Sequence, residues 1–322
     1  MELVANPRGH VAARRVNSVR RTSTLDTTWP DGQEGRLRIE GRCRDLMTNS
    51  ELPDTREVRF DTMVAHLKWE RVIQSVECER VDLTPIVGAR GGGHLRGVLN
   101  AEIHEERVNG TPLYLLLDDI SGVSLVSGWA WSRWEEHGGV MGGDGFEEQR
   151  MMMENVCTGF ATGNSAMGDE TPPDNNPQIV PLTRPDDPMS WHDLPNITSV
   201  GFRRARCIDV WIENSEINID VVFQDSGSDP LLERVAIHEY HLSATADADS
   251  GRLKSLAATP HVLPFAECPG AIANIQLMIG TRLVEMRQRV IGTLPGVKGC
   301  THLNDVLRSL AEVPVLAEML RR

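Results

Sequence analysis

The chain has 322 residues, 40% of them hydrophobic, and a formal net charge of −13 at pH 7. An acidic chain lacks the basic face that a phosphate backbone requires, which argues against a nucleic-acid partner. No apolar run approaches the ~20 residues that span a bilayer, so no membrane partner is expected, and the length implies about two domains.

The first predicted unit covers residues 1–135. Its N-terminus is rich in arginine but has no apolar core segment, so it does not read as a secretory signal. Arg20-Arg21 leads to Leu25-Asp26 and Trp29, and an alternating run follows from Leu37 to Asp45. Gly110-Thr111-Pro112-Leu113 lies near the end of the unit. Asp118-Asp119 reads as solvated acids or helix caps. Trp129, Trp131 and Trp134 read as a packing cluster between units.

Residues 136–199 differ in kind. The stretch holds Gly138-Gly139, Gly142-Gly143 and Gly145 together with many prolines. It reads as a connector that wraps over the surface, with a short helix at 147–156 and a capacity to act as a lid.

The second unit, 200–322, repeats the first at a nearly constant offset. Arg203-Arg204 leads to Ile208-Asp209 and Trp211, and the run from Ile217 to Asp225 answers Leu37 to Asp45. Cys300-Thr301-His302-Leu303 stands against Gly110-Thr111-Pro112-Leu113. Alternating stretches predict strands at 203–212, 216–224, 236–246 and 252–259, with turns at Asn214-Ser215 and Asp247–Gly251. Helical spacing follows at 270–290 and 302–320. The fold class is therefore α+β, with two tandem repeats related by a pseudo-twofold, each an antiparallel sheet followed by helices. Such a chain is a monomer by internal duplication or a homodimer. The paired arginines recur in both units and read as structural, as partners of Asp45 or Asp225.

Only the second unit carries metal-type or nucleophilic side chains where the two diverge. His238 is placed at the third strand's start, Cys268 where the sheet gives way to a helix, and Cys300 and His302 at the next helix start. A strand start and two helix N-termini can converge at one end of such a unit. Two cysteines and two histidines suit tetrahedral Zn(II) or a mononuclear iron. A helix N-terminus favours the Cys300 thiolate, and Lys298 adds to that effect if it points inward. Cys300 and His302 are also the candidates for nucleophile and acid/base. His238-Glu239-Tyr240-His241 resembles a metalloprotease motif only superficially, because on a strand His238 and His241 face opposite sides. The six cysteines, in a chain without a secretory signal, favour reduced thiols and a cytoplasmic location.

Arg203-Arg204, His238, Cys268 and Gly299-Cys300-Thr301-His302-Leu303 resemble the hallmarks of an uncharacterised bacterial family, domain of unknown function 2889, which implies no settled activity. Cys268-Pro-Gly-Ala-Ile-Ala-Asn and Leu294-Pro-Gly-Val-Lys298-Gly-Cys300 are more distantly similar to iron–sulfur scaffold proteins of the NifU type. That resemblance implies a NifU/SufE-like fold with ligands at His238, Cys268 and Cys300, and His302 as the fourth. Two departures, a Cys replaced by His and the order Cys300-Thr-His302, favour zinc or a single iron over an iron–sulfur cluster. The resulting expectation is a metal-dependent enzyme of lyase or hydrolase type. Its substrate would be a small organic molecule such as a carboxylate or an acyl thioester. A metal or iron–sulfur carrier, and metal-free Cys–His chemistry, are the alternatives.

Overall fold

The computed structural model describes residues 3–50, 54–137, 150–168 and 176–321. The glycine run of the connector, Pro172-Pro173 and the start of the 147–156 helix lie outside the described residues.

Four strands form in each half: β1 (Ser18–Thr28), β2 (Leu37–Thr48), β3 (Thr55–Leu67) and β4 (Ile73–Glu77), then β5 (Gly201–Glu213), β6 (Glu216–Ser228), β7 (Arg234–Asp247) and β8 (Leu253–Val262). They make one eight-stranded sheet in the order β4-β3-β2-β1-β5-β6-β7-β8. Every neighbouring pair is antiparallel, and β1 meets β5 along its full length, from Ser18 opposite Trp211 to Thr28 opposite Gly201. The two halves are thus joined edge to edge about a topological twofold, which consumes an edge strand of each.

The sequence explains the local details. Asn214 and Ser215 both take positive φ (51° and 60°), the geometry that a two-residue hairpin needs to match strand twist. Asp225 faces His238 but Ser226 faces Ala236, so Ile237 is the extra residue of a β-bulge. Asp45 faces Arg59 while Leu46 faces Glu57, so the same bulge occurs at the matching place of the first half.

Helices α1 (Gly93–Glu102), α2 (His104–Val108) and α3 (Pro112–Val126) follow the first four strands; α4 (Met286–Thr293), α5 (Thr301–Ser309) and α6 (Val313–Met319) follow the second four. The expected helix over 270–290 is instead a 3-10 stretch at Cys268–Met278, a turn at Leu283–Glu285 and then α4. Gly280 at φ +82° ends the first piece. The segment 302–320 divides into α5 and α6, where Pro314 opens the second helix.

Two apolar cores separate sheet from helices, one built on Leu25, Ile39, Met63 and Leu116, the other on Ile208, Phe223, Leu303 and Val306. The opposite face of β5 and β6 is covered by Val11, Leu182 and Trp191. There the His192 ring bonds Thr22 and Thr24 at 2.8 Å each. Burial on both faces is why β1 and β5 carry almost no exposed residue. Trp129 lies against Gly227 and Trp134 donates to the Ser228 carbonyl at 2.9 Å, so the tryptophan cluster ties the first half to β6 as expected.

Charged residues occupy the seam. On one face Arg20 pairs with Asp209 and Arg203 with Asp26, two bridges related by the twofold. On the helix face runs a continuous chain of ion pairs: Asp45–Arg21–Glu312–Arg287–Asp118–Arg96–Asp305–Arg204–Asp225. Asp118 and Asp119 are therefore not solvated acids. They are buried inside α3, Asp118 bonded to Arg308 and Asp119 to Arg206. An isolated charge there would cost several kcal/mol to desolvate, and pairing is what makes its burial tolerable.

Candidate metal centre

Asp225 is the end of that chain. It sits on β6, wholly buried, and accepts from Arg204 Nε and Nη2 at 2.8 Å each. Burial by itself would raise its carboxyl, but the Arg204 guanidinium outweighs it and holds the group ionised, well below the ordinary range.

Two imidazoles face this carboxylate. His238 Nδ1 and His302 Nε2 each lie 3.6 Å from the same Asp225 Oδ2. Their rings stack with centroids 3.4 Å apart and 18° between planes. The bulge at Ile237 and the opening of α5 bring them together, because His238 lies beside the extra residue and His302 in the first turn of the helix. His238 therefore lies four residues inside β7, which begins at Arg234, rather than at the strand's start. Burial lowers the basicity of His238, against the pull of Asp225. Burial and then the His238 ring hold His302 well below the ordinary imidazole value. Both rings are thus neutral at pH 7, the form in which imidazole is a ligand. His238 Nδ1 is buried without a hydrogen-bond partner, a situation that demands a physical reason. The three ligand atoms of Asp225, His238 and His302 all lie within 4.8 Å of one another.

Cys300 caps α5 on the other side of His302, with Sγ 3.9 Å from His302 Nδ1. Tyr240 Oη donates to Cys300 Sγ at 3.4 Å. Burial pushes the Cys300 thiol up to about 11, against which the backbone amides of His302 and Leu303 at the helix start pull down. Lys298 is exposed rather than pointing inward.

Cys268 belongs to a neighbouring group. A Cβ on Gly159 would lie 2.9 Å from Cys268 Sγ and 4.0 Å from Cys157 Sγ, so the connector passes directly over both thiols. Burial raises both of them. The connector is held there by Thr158, whose N–H and hydroxyl donate to the Gly299 carbonyl, and by Ser165, which donates to Glu267. Of the four residues singled out in the sequence, the structure brings His238 and His302 together at Asp225, and sets Cys300 against the opposite nitrogen of the His302 ring, in a separate group of thiols with Cys268 and Cys157.

Asp225 is the member that sequence reasoning assigned only to an ion pair with Arg204. The pair exists, but the same carboxylate also faces both histidines. Its position in the strand opposite His238 was the available clue.

The matching place in the first half holds no such set. Arg59 stands opposite Asp45 where His238 stands opposite Asp225, and Asp61 stands where Tyr240 does. Pro112 and Gly110 replace His302 and Cys300. Arg59 donates to the Asn109 carbonyl, and Asp61 pairs with Arg80 and accepts from the Leu113 amide.

Fold and site therefore describe an α+β protein with one asymmetric His/Asp/Cys cluster. Residues 202–316 match the model of a protein family of unknown function, DUF2889, and this segment contains all of the cluster. No curated protein and no solved structure matches the chain. Among the described residues no helix is long and apolar enough to cross a membrane.

Proposed function

We propose that the second half holds a single zinc or iron ion on His238, His302 and Asp225, and that the protein is a metal-dependent enzyme acting on a small organic substrate. The observation that carries this reading is the convergence of His238 Nδ1 and His302 Nε2 on one Asp225 oxygen, 3.6 Å from each. Two neutral imidazoles and a carboxylate are a recurrent ligand set for zinc and non-haem iron that leaves coordination positions open. Asp225 retains acceptor capacity beside its bonds to Arg204, since a carboxylate offers about four lone-pair sites. A metal there would supply Lewis acidity or a bound water of lowered pKa.

The protein's own groups divide the remaining work. Arg204 keeps Asp225 ionised and oriented, as outer-shell partners of metal ligands do. Cys300 and Tyr240 lie on the far side of His302, against its Nδ1, where they orient the ring rather than ligate the ion. The connector segment around Gly159 covers this side and keeps water from it.

Titration with Co(II) under reducing conditions tests the reading. Wild type should take up about one equivalent with a visible d–d spectrum, and His238→Gln, His302→Gln and Asp225→Asn should each weaken uptake at least tenfold. Wild type that takes up no Co(II), Zn(II) or Fe(II) overturns it.

A second reading has its own observation. Cys300 Sγ, His302 and Asp225 lie in series, at 3.9 Å and 3.6 Å, in the order of a Cys–His–Asp relay. Metal-free protein whose Cys300 alone is alkylated rapidly near pH 6 would favour this over a metal centre.

A further inference from the structure

Among its described residues the first half shows no such ligand group, yet Arg96 and Gly122 lie against the Arg204–Asp305 pair at the Asp225 end of the ion-pair chain. Arg96, on α1, donates from Nη2 to Asp305 Oδ1 at 2.6 Å. Asp305 Oδ2 accepts from Arg204 Nη1 at 2.9 Å, while the opposite edge of the same guanidinium carries Asp225. Arg204 is thus a rigid fork between two carboxylates, and Asp305 sets its angle.

Gly122, on α3, provides the space in which this pair lies. A Cβ at residue 122 would fall 2.1 Å from Arg204 Nη1 and 2.3 Å from Asp305 Oδ2. In the matching arrangement about the twofold, Arg21 donates from Nη1 to Glu312, the residue that precedes α6, and its Nη2 donates to the Gly110 carbonyl. One half therefore closes its arginine with an acid from the other half. The other half leaves a glycine, and the arginine turns to Asp305.

We infer that the first half is the positioning half of the candidate centre: Gly122 and Arg96 fix the Arg204–Asp305 pair and thereby the Asp225 carboxylate that faces His238 and His302. This rests on the metal reading above. Neither residue touches His238, His302 or Asp225, so both are positioning residues. Loss of Arg96 leaves Asp305 with Arg204 alone, and a methyl at residue 122 displaces Arg204 Nη1. Either change turns the Asp225 oxygen away from the two imidazoles.

The test uses the full chain with Arg96→Ala, Arg96→Lys and Gly122→Ala. Each is compared with wild type for Co(II) affinity and for the ¹⁵N shifts of the His238 and His302 rings in metal-free protein. Thermal unfolding identifies any variant that has lost its fold. We expect Arg96→Ala and Gly122→Ala to weaken Co(II) about tenfold and to shift the imidazole tautomer signals, with Arg96→Lys intermediate. Folded variants with wild-type Co(II) affinity and unchanged imidazole signals overturn the inference. If wild type takes up no metal, the metal reading fails by itself. The imidazole signals then decide the positioning role: a shift in both variants supports it and no shift overturns it.

Discussion

Asp118 and Arg308 occupy matching positions in the two halves and pair with each other, Arg308 Nη2 lying 2.6 and 2.9 Å from the two Asp118 oxygens. One position thus carries opposite charges in the two halves and closes on itself at the centre of the molecule. A strictly symmetric pair would place like charges face to face in a buried seam, which costs energy instead of releasing it. Burial alone would raise the Asp118 carboxyl, but Arg308, Arg287 and Arg96 hold it well below the usual range.

Removing one member leaves the other buried without its partner. Asp118→Asn and Arg308→Met should each destabilise by about 3–5 kcal/mol, while the double replacement Asp118→Asn/Arg308→Met should cost less than the sum of the single changes. Urea unfolding of the four proteins measures this directly. Additive costs would show that the two side chains do not act as a pair.

Only the two ends of the seam, Arg21–Asp45 and Arg204–Asp225, were legible in the sequence, from the recurrence of the paired arginines. Asp118 and Asp119 read as solvent-facing because acids on a helix usually are, and their arginine partners lie far away along the chain. The strands fared better: alternation, the Asn214-Ser215 turn and the repeated Arg-Arg placed all four strands of the second half within a few residues. Merger of two four-stranded sheets into one is a long-range pairing of β1 with β5 that no local pattern encodes. The same limit applied at the site. His238, Cys300 and His302 stood out by residue type, whereas Asp225 did not, because its role depends on which residue faces it across a strand pair.

His192 gives a prediction in pH. Burial, followed by the charges of Arg44 and Arg203, lowers its pKa from the ordinary value of 6.5 to about 3. The unfolded chain therefore binds a proton below pH 6.5 that the folded chain refuses until about pH 3. Stability from this group is fully present above pH 6.5 and is lost as pH falls through that window, by roughly 1.4 kcal/mol per unit. His192→Gln, which can still bond Thr22 and Thr24, should flatten the dependence between pH 6 and 4 by about one proton. An unchanged slope in chemical denaturation would contradict the assignment.

The buried thiols give another. With Cys300 pushed up to about 11 from an ordinary value near 9, its thiolate fraction at pH 7.5 is about a hundredfold below that of an exposed cysteine. Iodoacetamide should therefore label native Cys300 at least a hundredfold more slowly than the denatured chain, as read by peptide mass spectrometry. Fast labelling of native Cys300 would place the thiol, not the imidazoles, at the centre of the chemistry.

Gly159 tests how the connector seats on the second half. Its Cβ position lies 2.9 Å from Cys268 Sγ, so Gly159→Val should lift the segment from Cys157 to Ser165 and speed limited proteolysis there, leaving the unfolding midpoint almost unchanged. Equal cleavage rates in both proteins would mean that this contact does not hold the segment in place.

The most direct test of the central claim is elemental analysis of the protein purified without chelator or added metal, beside His238→Gln, His302→Gln and Cys268→Ser. The account predicts about one equivalent of zinc or iron in wild type, lost in both histidine variants and kept in Cys268→Ser, with all four proteins folded. Wild type without metal that also fails to take up zinc or iron on addition, or metal retained in both histidine variants, would contradict it.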